Sequence, residues 1–343
     1  MVKGIDEPKV SDWLAGHCEG LQPPLRFEAI TGGHSNLTYK VTDATGRNVV
    51  LRRPPLGAVL ATAHDMGREH RIIRALAGTG VPVPPALALC SDEGVNGAPF
   101  YVMDFVQGTV LDAPGVVRSV LPDHASRLRL SHSVLDALVA LHTLDPEKVG
   151  LGDLGRREAY LDRQLGRWRT QWEKSKTREL AAMDETFELL VKAKPEQKYT
   201  GIVHGDYRLG NMLSTGDGKV AAVLDWELCT LGDTLADVGY LMNNWAEADE
   251  AGPSQAVAMP TATGGFLTRA EFLAEYSHRS GHSVDGIEYY RAFQWWRLAA
   301  IVEGVLSRYL KGVMGESTVG MDAFRMQVEQ MAEEALAMVR GIA

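Results

Sequence analysis

The chain has 343 residues, 45% of them hydrophobic, and a formal net charge of −9 at pH 7. This composition is typical of a folded protein, and the length favours two packed lobes over one simple core. The negative charge argues against non-specific binding to nucleic acid or to an anionic membrane. No stretch of the sequence approaches the roughly 20 apolar residues that are needed to span a bilayer.

The three cysteines, Cys18, Cys90 and Cys229, are far apart and form no metal-binding pair. An odd number of cysteines without a repeated spacing argues against a disulfide scaffold and against a zinc site. It favours a protein of a reducing compartment. The first ten residues contain acidic side chains and no apolar run, so they do not resemble a secretory signal. We therefore expect a cytoplasmic protein.

The first hundred residues predict short strands around one main helix. β-prone runs alternate with glycine turns, and residues 66–76 have apolar side chains at helical spacing. The predicted strands are residues 25–30, 37–42, 48–53, 86–90 and 100–105.

After Gly108 the pattern becomes mainly helical, with two short predicted strands at 201–204 and 221–225. The predicted helices are residues 122–144, 157–174, 179–192, 234–243, 269–280, 286–310 and 321–339. We expect a boundary in the connector 106–114, which divides a small β-rich lobe (1–106) from a larger helical lobe (107–343). Ligands tend to bind in the cleft between two such lobes.

The strongest chemical signal is a set of polar residues in and beside the two short strands. Asp206 and Asn211 lie five positions apart in a predicted loop, and Asp225 ends a predicted strand fourteen residues later. Phosphoryl transfer needs a carboxylate to accept the proton of the attacking hydroxyl, and Mg²⁺ takes one or two carboxylates with phosphate oxygens. Asn211 and Asp225 suit the metal, which leaves Asp206 as the base. Each residue alone would more often form a turn or a cap, but their joint spacing favours phosphoryl transfer.

The run H-G-D-x-x-x-x-N from His204 to Asn211, followed by L-D-W-E, resembles the aminoglycoside phosphotransferase and choline kinase family. The resemblance implies an α+β, two-lobed protein-kinase-like fold, with a small β-rich N-terminal lobe containing one main helix and a larger helical C-terminal lobe. It also implies that Asp206 is the catalytic base and that Asn211 and Asp225 bind Mg²⁺.

Residues 232–239 resemble the family's G-D-P-x-x-D-L segment, with Thr234 where proline is common. In the family the second aspartate braces the catalytic loop, so we expect Asp237 to lie just behind the site, together with His204 and Glu227. The ordinary alternative is that Asp237 is an acid in the first turn of a helix, where a negative charge interacts favourably with the helix dipole.

The first lobe is expected to hold ATP. A glycine-containing loop between two strands is the candidate for covering the nucleotide, although a plain hairpin turn is the ordinary alternative. Arg52 stands on the third strand where the fold usually has lysine, and Glu69 is the matching helix acid. Met103 and Phe105 resemble a hinge that recognises adenine through main-chain groups. The candidate loop residues are Gly32, Gly33, His34, Ser35 and Asn36.

A basic segment suggests an anionic acceptor. Residues 156–178 include eight basic and three acidic residues. Arg156, Arg163 and Arg167 are spaced by seven and four positions, which predicts one shared helix face that could bind an anion. A solvated basic helix is the alternative. An aminoglycoside or choline site would instead gather carboxylates and aromatic rings around a cation.

Three short runs, L-R-R-P-P, G-G-H-S-N-L-T-Y and Y-L-x-R-Q-L-x-R-W, resemble the phosphotransferase module that is fused to acyl-CoA dehydrogenase modules in some proteins. This resemblance implies ATP and Mg²⁺ as cofactors, a hydroxyacyl-CoA as acceptor in fatty-acid catabolism, and an acyl-CoA dehydrogenase as a partner. The alternatives are an aminoglycoside or amino-alcohol kinase, and a nucleotide-binding pseudokinase that regulates a partner. Only the unusual Arg52 supports the pseudokinase. The missing A-P-E segment disfavours a protein kinase.

Overall fold

The computed structural model describes residues 2–30, 36–56, 65–248, 250, 259–312 and 320–342. The first hundred residues form an antiparallel sheet with helices packed against it. The elements of this part are α1 (Glu7–His17), β1 (Arg26–Ile30), β2 (Leu37–Thr42), β3 (Asn48–Arg53), α2 (Met66–Leu76), β4 (Ala86–Cys90), α3 (Glu93–Asn96) and β5 (Phe100–Asp104).

The chain leaves the sheet after β5 and enters a part made mainly of helices. Short strands occur here at the catalytic loops. The elements of this part are β6 (Thr109–Val110), α4 (Pro114–Val120), α5 (His124–Thr143), α6 (Tyr160–Ser175), α7 (Ala181–Lys192), β7 (Gly201–Val203), β8 (Met212–Ser214), β9 (Val220–Val223), β10 (Thr230–Gly232), α8 (Leu235–Asn243), α9 (Arg269–Ser280), α10 (Ile287–Leu310) and α11 (Met321–Arg340).

The five-stranded sheet has the strand order β1-β2-β3-β5-β4. Successive side chains of β3 point to opposite faces, as the period of a strand requires. Val49 and Leu51 belong to a core shared with α1, whereas Val50 belongs to the main core shared with α2. Arg52 therefore lies on the same face as Val50, towards α2 and the catalytic loops.

Helix α2 positions the glutamate that faces Arg52. Asp65 caps its first turn by accepting a hydrogen bond from the main-chain nitrogen of Arg68. The helix buries Ile72 and Leu76 in the main core, and Glu69 lies on the buried face at 2% exposure. Burial on that face directs the carboxylate of Glu69 towards the sheet instead of towards solvent.

The predicted strands and α2 agree with the structure, but the expectation of one main helix in the first lobe was incomplete. Helix α1 is as long as α2, at 11 residues each. Asp6 caps α1, and Val10, Leu14 and Cys18 are buried against the outer face of the sheet. This four-residue spacing after an aspartate cap is a helix signal that the sequence-based prediction missed.

Two strand pairs hold in place the loops that carry Asp206 and Asp225. Strand β7 pairs with β10, and β8 pairs with β9 through Met212 and Val223. The predicted strand 221–225 ends at Val223, so Asp225 follows the strand by two residues. Gly232 must be glycine, because an added Cβ would clash with the ring of Tyr160 on α6. None of the described helices is long and apolar enough to cross a bilayer.

Candidate active site

The loop that carries the candidate base begins directly after β7. Gly205 has a φ of +87°, and an added Cβ there would lie 2.9 Å from the carbonyl oxygen of Leu228. This position therefore accepts only glycine, both for its backbone conformation and for the close approach of the next loop. The tight turn brings the following residue, Asp206, out of the strand pair with its side chain 21% exposed.

Asp206 and Asn211 are joined by two hydrogen bonds. The Nδ2 of Asn211 donates to the Oδ2 of Asp206 at 2.6 Å and to its main-chain oxygen at 2.9 Å. Arg208 Nε lies 3.3 Å from the other carboxylate oxygen of Asp206. Because the amide nitrogen of Asn211 faces Asp206, its Oδ1 is the atom available to a metal ion.

Asp225 lies beside this pair, in an unusual backbone conformation. The main-chain nitrogen of Leu224 donates to the carbonyl of Asn211 at 2.8 Å, which places the two segments side by side. Asp225 itself has a φ of +66° and a ψ of 64°, a left-handed conformation that aspartate adopts more readily than most residues. The structure thus brings Asp206, Asn211 and Asp225 to one place.

Arg52 connects Asp225 to the first lobe. Its Nη2 donates to the Oδ1 of Asp225 at 2.5 Å, and its Nε lies 3.2 Å from the Oε2 of Glu69. Burial raises the pKa of Glu69, and the charge of Arg52 opposes that rise. Tyr101 on β5 donates a further hydrogen bond to Glu69 at 3.1 Å. The arginine therefore spans two carboxylates with two different nitrogens, which a lysine could not do in the same geometry.

Asn36 and Glu227 extend this network. The Nδ2 of Asn36 donates to the Oε1 of Glu69 at 3.0 Å and to the Oε2 of Glu227 at 3.2 Å. Glu227 Oε2 also lies 3.9 Å from Arg52. The other predicted residues of the nucleotide-covering loop, which are Gly32, Gly33, His34 and Ser35, lie outside the described residues.

The candidate hinge lies on and just after β5. Met103 is paired with Val50 of β3 and Ala86 of β4, so it occupies an interior position of the sheet. Phe105 follows the strand, and its main-chain nitrogen donates to the side chain of Asp104 at 3.2 Å. The chain passes from this point to β6, so the segment lies at the junction of the two parts of the molecule.

Asp237, a buried residue of α8, binds the main chain of the loop that carries Asp206. Its carboxylate accepts hydrogen bonds from the main-chain nitrogens of His204 at 2.6 Å and Gly205 at 2.8 Å. His142 of α5 adds its Nε2 at 3.3 Å. Burial alone would raise the pKa of Asp237, but the hydrogen bond and charge of His142 and the amide of Gly205 hold that pKa below its ordinary value.

His204 links the two loops through its ring. Its Nε2 lies 2.9 Å from the carbonyl of Leu224, and its Nδ1 accepts from the main-chain nitrogen of Asp206 at 3.1 Å. These partners fit a neutral ring with the proton on Nε2. The residue is fully buried, so it orients Asp206 and does not itself meet a ligand.

Three residues around the site were not predicted from the sequence. His142 forms a contact with Asp237, and Arg297 donates from Nη2 to the carbonyl of Gly205 at 2.9 Å. Tyr240 lies close to Asp206, and its pKa is raised by burial and then by the charge of that carboxylate. All three lie on helices whose apolar spacing explains their surroundings without any function. No local signal in the sequence distinguishes them from ordinary core-facing polar residues.

A recess of about 400 Å³ opens beside Gly205, between the first turn of α2, the loop after Asp225 and helix α6. Arg167 lines this recess together with Tyr160, Gln164 and Trp168 of the same helix. These positions are separated by four, three and one residues, so one face of α6 forms the wall.

The predicted basic helix face needs a correction. Helix α6 begins at Tyr160, so Arg156 precedes it and cannot share its face with Arg163 and Arg167. Arg156 is exposed, and its carbonyl accepts a hydrogen bond from Nη2 of Arg163 at 2.6 Å. The helix starts late because Ala159 has a left-handed backbone, with a φ of 51°. Of these three arginines, only Arg167 lines the recess.

The donors at the site suit a hydrated divalent ion. The described residues contain no cluster of three or more histidine, cysteine, aspartate or glutamate side chains that could hold a metal unaided. Asn211 and Asp225 supply an amide oxygen and a carboxylate in neighbouring segments. Mg²⁺ commonly takes such a small protein ligand set and completes its shell with water and phosphate oxygens.

Known proteins resemble this chain in sequence along most of its length. A sequence model of the phosphotransferase enzyme family matches residues 26–293. Acyl-CoA dehydrogenase family member 10 of Mus musculus is 34% identical over 327 residues, covering 94% of this chain and 30% of its own length. Acyl-CoA dehydrogenase family member 11 of Gallus gallus is 32% identical over 319 residues, covering 91% and 40%. The chain thus spans less than half of the length of these curated relatives.

Solved structures agree in fold. A crystal structure from Ralstonia eutropha, of a protein assigned by name to the aminoglycoside phosphotransferases, has 34% identity and a TM-score of 0.83, covering 98% of this chain and 99% of that chain. Aminoglycoside phosphotransferase APH(4)-Ia, crystallised with ADP and hygromycin B, has a TM-score of 0.63 at 15% identity, covering 98% and 99%. The predicted two-lobed, kinase-like α+β fold is confirmed, and the chain belongs to the phosphotransferase enzyme family.

Proposed function

We propose that this protein transfers the γ-phosphoryl group of ATP to a hydroxyl group of a small molecule, with Mg²⁺ as the metal ion. The observation that carries the proposal is the hydrogen-bonded contact of Asp206 with Asn211, beside the segment of Asp225. A base and two metal ligands in neighbouring loops are what phosphoryl transfer requires. The retention of all three residues argues against the pseudokinase alternative.

We assign nucleotide binding and catalysis to different lobes. We assign ATP binding to residues 1–106, with Asn36, Arg52 and Glu69 near the phosphates and the main chain at Met103 and Phe105 near the adenine. Residues 107–343 would supply the catalytic loops and the acceptor site. ADP and AMP-PNP are bound by members of the same fold, such as APH(4)-Ia and the amicoumacin kinase hAmiN, the latter with Ca²⁺.

Asp206 is the proposed base. Its carboxylate accepts the proton of the acceptor hydroxyl as the oxygen bonds to the γ-phosphorus and the bond to the leaving ADP breaks. A divalent ion held by Asn211 and Asp225 would neutralise charge on the phosphates. Asp237 and His204 keep the loop in position throughout, because they bond its main chain and not the substrate.

The proposed acceptor is a hydroxyacyl-CoA. The curated relatives are named acyl-CoA dehydrogenase family members, and the chain matches less than half of each. A phosphotransferase that serves such an enzyme would act on acyl-CoA compounds, and a dehydrogenase partner in fatty-acid metabolism follows from the same reasoning. We place the reaction in the cytoplasm, where the three free and buried thiols, Cys18, Cys90 and Cys229, would stay reduced.

A second candidate is an aminoglycoside or amino-alcohol kinase. The protein from Ralstonia eutropha that shares 34% identity carries the aminoglycoside phosphotransferase name. Three arginines, Arg68, Arg167 and Arg297, and three carboxylates line the recess beside Gly205. Two of the carboxylates, Glu69 and Glu227, already contact Arg52, so the arginines would repel a cationic acceptor. This observation favours an anionic acceptor over an aminoglycoside.

The test is an assay of phosphoryl transfer from labelled ATP to a panel of acceptors, with products identified by mass spectrometry. The panel contains 3- and 4-hydroxyacyl-CoA, kanamycin and choline, and the Asp206→Asn variant is the negative control. We expect a phosphorylated hydroxyacyl-CoA with the wild-type protein only. If only kanamycin or choline is phosphorylated, the acceptor is not a hydroxyacyl-CoA and that compound class takes its place. If no acceptor is phosphorylated, the assignment of a hydroxyacyl-CoA is rejected.

A further inference from the structure

Three guanidinium groups line the recess beside Gly205, and their partners are unusual. Arg68 donates to the carbonyl oxygens of Cys229 and Leu154, the latter at 3.4 Å. Arg297 donates to the carbonyl of Gly205 at 2.9 Å and to the Oε1 of Gln294 at 2.8 Å. Every one of these acceptors is neutral, so none of these hydrogen bonds pairs Arg68 or Arg297 with a negative charge.

Arg167 has even fewer contacts. Its guanidinium lies 5.2 Å from the ring of Trp168, and Arg297 lies 5.3 Å from the same ring. In the described part of the chain, Arg68, Arg167 and Arg297 form no ion pair with a carboxylate. Other arginines of this region do so, since Arg169 pairs with both Glu173 and Asp184.

The carboxylates that also line the recess are engaged elsewhere. Glu69 and Glu227 both bond to Asn36 and face Arg52, which lies outside the recess wall. Asp65 caps the first turn of α2. The carboxylates of the wall therefore have hydrogen-bond or ionic partners within the protein, whereas the three arginines have only neutral partners among the described residues.

Arg297 is the most constrained of the three cations. Its side chain is 6% exposed, and its Nε has no hydrogen-bond partner in the described residues. A buried donor that is left unbonded is unfavourable, so such donors usually bind a ligand or a water molecule. Burial and then the charge of Arg297 lower the pKa of Arg167, as expected for two cations that share a site without an anion.

We propose that this recess binds a phosphate-type anionic group of the acceptor, held by Arg167 and Arg297 with Arg68 at the opposite wall. Arginine forks bind phosphate oxygens through paired, charge-assisted hydrogen bonds. The recess volume of about 400 Å³ accommodates such a group with part of the molecule that carries it. Its wall includes Gly205, one residue from the proposed base, so the anion would anchor the acceptor beside Asp206. The acceptor role rests on the proposed phosphotransferase function.

The first experiment measures anion binding without catalysis. Wild-type protein is saturated with ADP at a fixed concentration of free Mg²⁺, so that the nucleotide site is filled, and inorganic pyrophosphate is added while tryptophan fluorescence is followed. Arg167→Gln is the test variant, because the contact of Arg167 within the described residues is with the ring of Trp168, so the substitution removes no hydrogen bond to them. Lys174→Gln is the matched control, since it removes the same charge from the exposed part of the same helix.

We expect Arg167→Gln to weaken pyrophosphate binding about tenfold, and Lys174→Gln to change it less than twofold. The proposal is overturned if the wild-type protein does not bind pyrophosphate, if Arg167→Gln binds as tightly as wild type, or if both variants weaken equally. Circular dichroism checks that each variant is folded.

The second experiment asks whether the anion belongs to the acceptor. Rates are compared for a hydroxyacyl-CoA and for the corresponding hydroxyacyl-pantetheine, which lacks the phosphates. We expect wild-type protein to prefer the phosphate-bearing acceptor, and Arg167→Gln to reduce that preference about tenfold through KM, with kcat within threefold. An unchanged preference in this variant overturns the acceptor role.

The two experiments separate the recess from the proposed function. Pyrophosphate binding that depends on Arg167, without phosphorylation of any hydroxyacyl compound, supports the anion site and rejects the acceptor assignment. Phosphorylation of a hydroxyacyl-CoA that is equal in wild type and Arg167→Gln, with no pyrophosphate binding, supports the function and rejects the anion site.

Discussion

The catalytic loop and the neighbouring recess share Gly205, but their polar groups are satisfied in different ways. In the loop, Asp206 and His204 have partners at hydrogen-bonding distance, and so does Asp237, which binds the loop from α8. In the recess, the partners of Arg167 and Arg297 among the described residues are aromatic rings and neutral acceptors. A network that is complete in the protein alone serves to position groups for chemistry, whereas uncompensated charge serves to bind a charged ligand.

This comparison predicts that changes in the loop will affect the chemical step, and that changes on the recess wall will affect acceptor affinity. It also predicts that loop changes will destabilise the fold when they remove a buried partner. Three substitutions outside the recess test this division, in order of expected effect.

Asp206→Asn is expected to have the largest effect. Asparagine keeps the shape of the side chain but cannot accept the proton of the hydroxyl, so we expect kcat to fall about 10²- to 10⁴-fold. ATP binding, measured by calorimetry, should stay within about threefold, because Asp206 is not assigned to the nucleotide. Asp217→Asn, in the exposed turn between β8 and β9, is the matched control. Unchanged phosphorylation in Asp206→Asn would contradict the assignment of the base.

Asp237→Asn is expected to lower both stability and turnover. The asparagine would retain one acceptor oxygen for the two main-chain nitrogens of His204 and Gly205, which leaves a buried donor unsatisfied. We expect the free energy of unfolding to fall by about 1–3 kcal/mol in urea titrations and kcat to fall about tenfold. A variant that loses stability but keeps full kcat would show that Asp237 does not position the catalytic loop.

The same variant has a predictable pH dependence. The pKa of Asp237 is lower in the folded protein than its ordinary value, so its stabilising contribution is fully present above the unfolded pKa of about 3.9. That contribution is lost as the pH falls through the folded pKa. The stability difference between wild type and Asp237→Asn should therefore be constant near neutral pH and shrink below about pH 4. A difference that grows on acidification would contradict this direction.

Arg52→Lys is expected to have the smallest effect of the three. A lysine has one nitrogen and cannot contact Glu69 and Asp225 with the present geometry, in which two separate nitrogens are used. We expect KM for ATP to rise about fivefold with kcat within threefold, which steady-state kinetics would show. Arg52→Met removes the positive charge as well, and we expect its KM for ATP to be higher than the KM of Arg52→Lys. A lysine variant with an unchanged KM would show that the double contact is not needed for ATP binding.

Much of the fold could be predicted from local patterns. Strands β2 to β4 and helix α2 follow alternation, β-branched residues and helical spacing, and their bounds agree with the structure. Helix α1 was missed although Asp6 and the spacing of Val10 and Leu14 indicate it. The start of α6 could not be located, because the left-handed backbone of Ala159 has no signal in residue type.

The candidate site was predictable where its residues are close in sequence. The spacing from His204 to Asn211 and on to Asp225 identified the base and the metal ligands as candidates, and the structure brings them together. His142 and Arg297 were not identified, since each lies far from Gly205 in the chain. Only after the helices pack does His142 contact Asp237 and Arg297 contact the loop.

The sequence by itself determined most of the elements and the spacing of Asp206, Asn211 and Asp225, because short-range spacing governs turns, strands and loop geometry. Only the tertiary structure decided which arginines face a common recess and which are paired with acids. Arg156 and Arg167 look alike in the sequence, but only Arg167 lines the recess. Charge compensation depends on distances between side chains from separate elements, and those distances are set by packing.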